Sequence, residues 1–244
     1  MLDNASQIAR YALVCALMVP LLGGALVVAP FSSLQARRMV RAWNKAFLSI
    51  FGVSFEVEFQ GSPKQLEQGG VIVGLNQQSL LDPTVGFAAW DKPVNAIWNI
   101  EYALIPFFGW VSFILGWVIV RQNPSQSKRQ IAKAAKYAGD GGLVFLSAEG
   151  QRSFDGQLSH YKKGPVVMAI TAQAPIHPIY IAGSRACLAP GTWKIRPGRI
   201  TIRYLSPIST TGMTYEDRNV LLERLREVGV AAHSKWFEGG GSVA

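Results

Sequence analysis

Residues 74 to 84 read GLNQQSLLDPT and set Asp82 five positions after Gln77, just behind the apolar run Val71, Ile72 and Val73. A carboxylate at 82 could steady a general base at 77. It would hold the tautomer of an imidazole there and stabilise its charged form, and the pair could then deprotonate a hydroxyl. Gln77 itself cannot act this way, because an amide takes no proton near neutral pH. The spacing adds a condition. Five residues along a straight helix end about 140° away from a shared face, so contact between 77 and 82 needs a bend. Pro83 and the preceding strand are suited to provide it.

A second cluster lies downstream, where LSAEGQRSFDG follows the apolar run Leu143–Leu146 and HYKKG comes soon after. Arg152, Lys162 and Lys163 could donate to a phosphate, and Gly150 would let backbone N–H groups approach one. Taken alone, the same segment also reads as a surface turn closed by a Glu149–Arg152 ion pair.

Together the clusters resemble the glycerolipid acyltransferases typified by 1-acylglycerol-3-phosphate acyltransferase, which carry an N-H-x-x-x-x-D block and a downstream E-G-T-R-S block. Asn76, Ser79, Asp82 and Pro83 match the first; Glu149, Gly150, Arg152 and Ser153 match the second, continued by Asp155, Gly156, Leu158, Lys162, Lys163 and Gly164. EYALIPFFGW (101–110), GWVIVR ending at Arg121, and APIHPIYI around Pro175 and Pro178 resemble the blocks between and after them. The resemblance runs in order from about residue 53 to 210.

It implies an α/β fold, a mixed sheet flanked by helices, and transfer of a fatty acyl group from acyl-CoA or acyl-carrier protein to a lysophospholipid hydroxyl. The catalytic pair falls on position 77 and Asp82. Acceptor binding falls on Arg152, assisted by Arg121, with Asn76, Ser79, Glu149, Gly150, Ser153 and Lys163 around them. No metal or cofactor is implied beyond the acyl donor.

Three departures from the pattern stand out. Gln77 replaces the histidine base, Gln151 the usual threonine, and Asn99-Ile100 stand where a lysine often precedes Glu101. The surroundings of position 77, Asp82 included, stay family-like. That favours a directed histidine-to-glutamine change that traps a bound state and leaves an inactive acyltransferase. A natural lipid-binding pseudoenzyme is the second reading. Of the other histidines, His177 reads as a packed strand residue and His160 as a solvated loop residue, and neither has an acid partner nearby in sequence.

The rest of the chain must position these residues and bring them to lipid. Its 244 residues are 49% hydrophobic, with seven Trp, twelve Phe and a net charge of +9. A basic, apolar, aromatic chain fits a membrane surface better than nucleic acid. There is no zinc-ligand spacing, no RNP-like motif and no polybasic tail. Cys15 and Cys187 imply no disulfide framework. Tyr11–Phe31 is uncharged over 21 residues, long enough to cross a bilayer, while Pro20 and Gly23-Gly24 favour a kink or turn. A straight span and a re-entrant hairpin both fit, and either is a retained anchor.

Within residues 34–51, Val40, Trp43, Phe47 and Ile50 form one helical stripe among Arg37, Arg38, Arg41 and Lys45. Such a helix suits a membrane interface, with Arg heads near phosphates, Trp43 at headgroup depth and this side facing the cytoplasm. It equally suits packing on the domain, and the two can coexist.

From residue 52 the period changes. Val53, Phe55, Val57 and Phe59 alternate as in a half-buried strand. Further strands are expected at Val71–Leu75, Val94–Trp98, Trp117–Val120, Leu143–Leu146, Ile176–Ile181 and Ile200–Tyr204. Helices are expected at Ser125–Tyr137, Lys163–Ala172 and Tyr215–Phe237. Tyr102–Val120, uncharged over 19 residues, is expected as a helix, a turn and a strand in the core. The organisation is thus an anchor and basic helix over 1–51, an acyltransferase-like domain over 52–238 and a flexible tail over 239–244.

Overall fold

The computed structural model describes residues 4–106, 109–120 and 122–238. All seven expected strands form: β1 Val53–Phe59, β2 Gly70–Gly74, β3 Val94–Asn99, β4 Gly116–Ile119, β5 Leu143–Ser147, β6 Ile176–Ala182 and β7 Gly198–Tyr204. They make one sheet in the order β1-β7-β6-β2-β5-β3-β4. Pairing is parallel from β6 through β2, β5 and β3 to β4, antiparallel between β6 and β7, and parallel again between β7 and β1. This is the expected mixed sheet.

Parallel neighbours require crossover helices, and these cover both faces. Helix α4 (Leu81–Ala89) follows β2 and packs with Ile72 and Ile202 on one face. On the other, α6 (Pro124–Gly139), α7 (Gly164–Ala172) and α9 (Arg218–Glu238) supply Ala134, Met168 and Leu225 against Val71 and Val73. Every residue of β2 is accordingly buried. The chain leaves β2 toward β3 over the first face and leaves β5 toward β6 over the second. Between the carboxyl ends of β2 and β5 the topology therefore switches, which is where open α/β sheets hold ligands.

The apolar N-terminal segment is one helical stretch: α1 (Asn4–Met18), a π-turn (Val19–Gly23) and α2 (Gly24–Val28). Pro20 lies at the start of the π-turn, and its missing N–H accounts for the widened turn. No hairpin forms inside this stretch. The reversal comes at residues 29–32, after which Ser32 caps α3 (Ser33–Ile50) by accepting from Gln35 N. The 25-residue stretch is long and apolar enough to cross a membrane. It nevertheless lies against the protein, with Gln7, Val14, Leu22 and Ala25 buried and Ile8, Leu13, Val19 and Val27 exposed.

Two expectations are corrected here. Trp43 is buried and donates to Val14 O, so its indole is spent inside the protein and is not offered to headgroups. Arg37 binds Val94 O, Asn95 Oδ1 and Ile114 O, and Arg41 binds Ala88 O and pairs with Asp91. Long guanidinium side chains here reach inward to strand and helix ends instead of outward to phosphate. Packing on the domain describes these residues of α3, and Val40 and Leu48 join the same apolar core as β2.

The uncharged run after residue 101 also differs in part. Helix α5 covers only Ile100–Ala103, and a single 3₁₀ turn spans Trp110–Phe113 before β4. Ala103, Val111, Leu115 and Val118 join the core as expected, whereas Leu104 and Phe113, at 75% and 63% exposed, lie on its outside. Phe107, Phe108 and the tail 239–244 lie outside the described residues.

Candidate active site

The bend that position 77 and Asp82 require is built by the loop from β2 to α4. Asp82 stands in the first turn of α4, and its Oδ2 accepts from Gln78 N at 2.8 Å and Ser79 N at 3.0 Å. Asn76 fastens the loop to β6 through both ends of its amide, donating to Ile181 O and accepting from Ile181 N. Ser79 Oγ donates to Leu188 O and accepts from Leu81 N.

The second block is joined to the first through the backbone of residue 77. Gln77 N donates to Glu149 Oε2 at 2.6 Å, and Ser153 N donates to Gln77 O at 2.8 Å. The other Glu149 oxygen accepts from Ser159 N. Glu149 is therefore a buried brace and makes no surface pair with Arg152. Burial raises its pKa. Ser153 is likewise buried and spends its hydroxyl on Asp155.

These braces surround a cavity of about 590 Å³, within the roughly 300–1,000 Å³ of small-molecule sites. Of the expected site residues, Asn76, Gln77, Asp82, Gly150 and Arg152 line it. Ser79, Glu149 and Ser153 hold its walls from behind, and the exposed Lys163 does not face it, whereas Lys162 does. Arg121 lies outside the described residues. One wall is apolar, with Phe87 stacked on Trp98 at 5.4 Å and with Ala96, Phe145 and Met168 beside them. Sequence reading missed this wall, because its residues come from four separated elements and carry only the signature of core. Asn99 and Glu101 line the cavity hydrogen-bonded to each other.

Two buried polar atoms lining the cavity, Gln77 Oε1 and Asp82 Oδ1, make no well-formed hydrogen bond among the described residues, and the buried Ser184 hydroxyl lies close enough to Asp82 to act on its carboxylate. Buried polar groups are normally paired, so a cluster of unpaired ones marks a place shaped for function. That Asp82 oxygen is available to an imidazole N–H at position 77; a glutamine amide can also offer it an N–H but cannot take up the proton of an acceptor hydroxyl. Arg152 makes no ion pair or side-chain hydrogen bond among the described residues, and its charge reaches Asp82. No histidine lines the cavity. His177 is buried against Gly69 O, His233 meets Tyr180 and His160 is exposed.

Burial raises the Asp82 pKa from 3.8 to about 6, against the opposing pull of Ser184, the backbone N–H groups of Ser79 and Gln78, and the Arg152 charge. Between these values the folded state keeps a proton that the unfolded state has released. Stability from this group is thus fully present below pH 3.8 and lost as pH rises through about 6. The difference amounts to about 3 kcal/mol. Asp82→Asn is expected to remove that slope, so its stability relative to the unchanged chain should rise from about pH 4 to about pH 7 in denaturant titrations. A difference that is flat with pH would show that Asp82 is not so perturbed.

The acyltransferase family pattern matches residues 56–182. A 1-acyl-sn-glycerol-3-phosphate acyltransferase from Limnanthes alba is 27% identical over 185 residues, covering 74% of this chain and 64% of that protein. One from Haemophilus influenzae is 22% identical over 207 residues, covering 84% and 85%. The chain thus spans a little under two thirds of the plant relative's length. In fold, it superposes on the 1-acyl-sn-glycerophosphate acyltransferase of Thermotoga maritima with a TM-score of 0.76 at 20% identity, covering 95% and 94% of the two chains. The matched span contains every strand end that builds the cavity, and the chain belongs to the acyltransferase family.

Proposed function

We propose that this chain is a membrane-associated member of the family whose cavity is shaped for acyl transfer to a lysophospholipid, such as 1-acylglycerol-3-phosphate, and whose turnover is withheld by Gln77. The observation that carries the reading is the division of the cavity. Arg152, which has no ion pair among the described residues, and the Gln77–Asp82 pair stand at one side, and a wall of Phe87, Trp98 and Phe145 stands at the other. A lysophospholipid is divided in the same way, into phosphate, hydroxyl and acyl chain.

In the reaction, the acceptor hydroxyl attacks the thioester carbonyl of acyl-CoA or acyl-carrier protein. A C–O bond forms, the C–S bond breaks, and the hydroxyl proton passes by way of the base to the leaving thiolate. Arg152 would hold the phosphate, the aromatic wall would take an acyl chain, and Asp82 would orient a base at 77. With glutamine there, the proton has no acceptor. Residues 1–51 serve as the membrane-facing part, with the exposed apolar side of α1 and α2 toward lipid and the cavity on the cytoplasmic side. Residues 52–238 carry the site.

Equilibrium binding tests the reading. The unmodified chain should hold lysophosphatidate more tightly than a monoacylglycerol of the same chain length, which differs only in lacking the phosphate. Equal affinity for the two would remove the lysophospholipid assignment.

A further inference from the structure

A second cavity, of about 820 Å³, lies beyond the 76–82 loop, between the short helix α8 (Ser184–Cys187) and the segment leading to β7. Its lining includes Arg185, Lys194 and Arg196 and no carboxylate, above apolar surface from Ala186, Cys187 and Ala189. The expected function uses none of these residues.

The cations are held in place by backbone. Residues 193–196 are tied along one edge to α1, where Tyr11 donates to Trp193 O and the Gln7 amide both donates to Ile195 O and accepts from Ile195 N. On the other edge Arg196 N donates to Cys187 O. Ile195 is buried between these ties, and Lys194 and Arg196 are exposed on either side of it. Neither Lys194 nor Arg196 has an ion pair or a side-chain hydrogen bond among the described residues. Arg185 is aimed by bonds to Ser153 O and Phe154 O.

We propose that this cavity seats the headgroup of an anionic bilayer phospholipid, at a site separate from the acyl acceptor's. The cationic rim selects a phosphate with net negative charge and disfavours a choline. The apolar surface beneath gives nothing to a free phosphate but accepts the glycerol and upper chain of a lipid. The neighbouring α1 presents Ile8 and Leu13 outward, which sets the rim at the depth of lipid headgroups. Such a site requires α1 to lie at a bilayer and does not depend on acyl transfer.

Native mass spectrometry of the full chain in detergent can test it, with dioctanoyl phosphatidylglycerol, dioctanoyl phosphatidylcholine and inorganic phosphate as probes. A first phosphatidylglycerol adduct is expected at clearly lower concentration than the phosphatidylcholine adduct. The Lys194→Gln/Arg196→Gln variant should weaken that adduct by about 30-fold, from roughly two lost cation contacts. Arg152→Gln, in the other cavity, and Lys64→Gln/Arg224→Gln, a charge-matched surface control, should leave it in place. Any of these results would overturn the proposal: equal adducts for both lipids, an adduct that survives in the Lys194/Arg196 variant, an adduct lost with Arg152→Gln, or complete displacement by equimolar inorganic phosphate. Displacement by acyl-CoA at matched concentration would reassign the cavity to the acyl donor and so also count against it.

Discussion

Gln77→His is expected to raise acyl transfer by roughly 10²–10⁴-fold, the usual contribution of a placed general base. The surroundings for an imidazole already exist. The backbone of residue 77 is fixed by Glu149 and Ser153, and one Asp82 oxygen is held by two N–H groups while the other, near the Ser184 hydroxyl, makes no well-formed hydrogen bond among the described residues. An imidazole N–H on that second oxygen would be held in the productive tautomer and stabilised once protonated. The gain should therefore depend on Asp82. Gln77→Ala should show no gain, and Gln77→His combined with Asp82→Ala should lose most of it. Consumption of an acyl thioester with a panel of lysophospholipids reads all of these variants. Equal activity across them would mean that another group takes the proton.

The second large effect concerns the phosphate. Arg152→Ala in the unmodified background should weaken lysophosphatidate binding by about 2 kcal/mol, or roughly 30-fold. The lower end of the range for charged partners applies because Arg152 is only half-buried. Monoacylglycerol binding should not change, since it presents no phosphate. If both ligands weaken together, the substitution has disturbed the pocket's shape instead. Lys163→Ala serves as a control, because that side chain is exposed and lies outside the cavity lining.

The strands were legible because their signals are local. Alternation over Val53–Phe59 and the continuous Val71–Val73 run distinguish an edge strand from one buried on both faces. The two motif blocks were legible as well, and the fold brings them together through Gln77 N and Ser153 N. What could not be read was set by tertiary neighbours. Glu149 looked like a surface partner for Arg152, yet it is spent on backbone N–H groups contributed by other segments. Arg37 and Arg41 sit on a stripe that suits a membrane, but strand and helix ends within their reach offer unpaired carbonyls. Lys162 and Lys163 are adjacent and alike in type. Only the start of α7 at Gly164 decides which of them faces the cavity.

The most direct test of the account uses the unmodified chain with labelled lysophosphatidate and an acyl-CoA, following bound lipid and product in one sample. Lysophosphatidate should be retained on the protein while no phosphatidate forms above the protein-free background. Phosphatidate formed by the unmodified chain at the rate of the Gln77→His variant would contradict it.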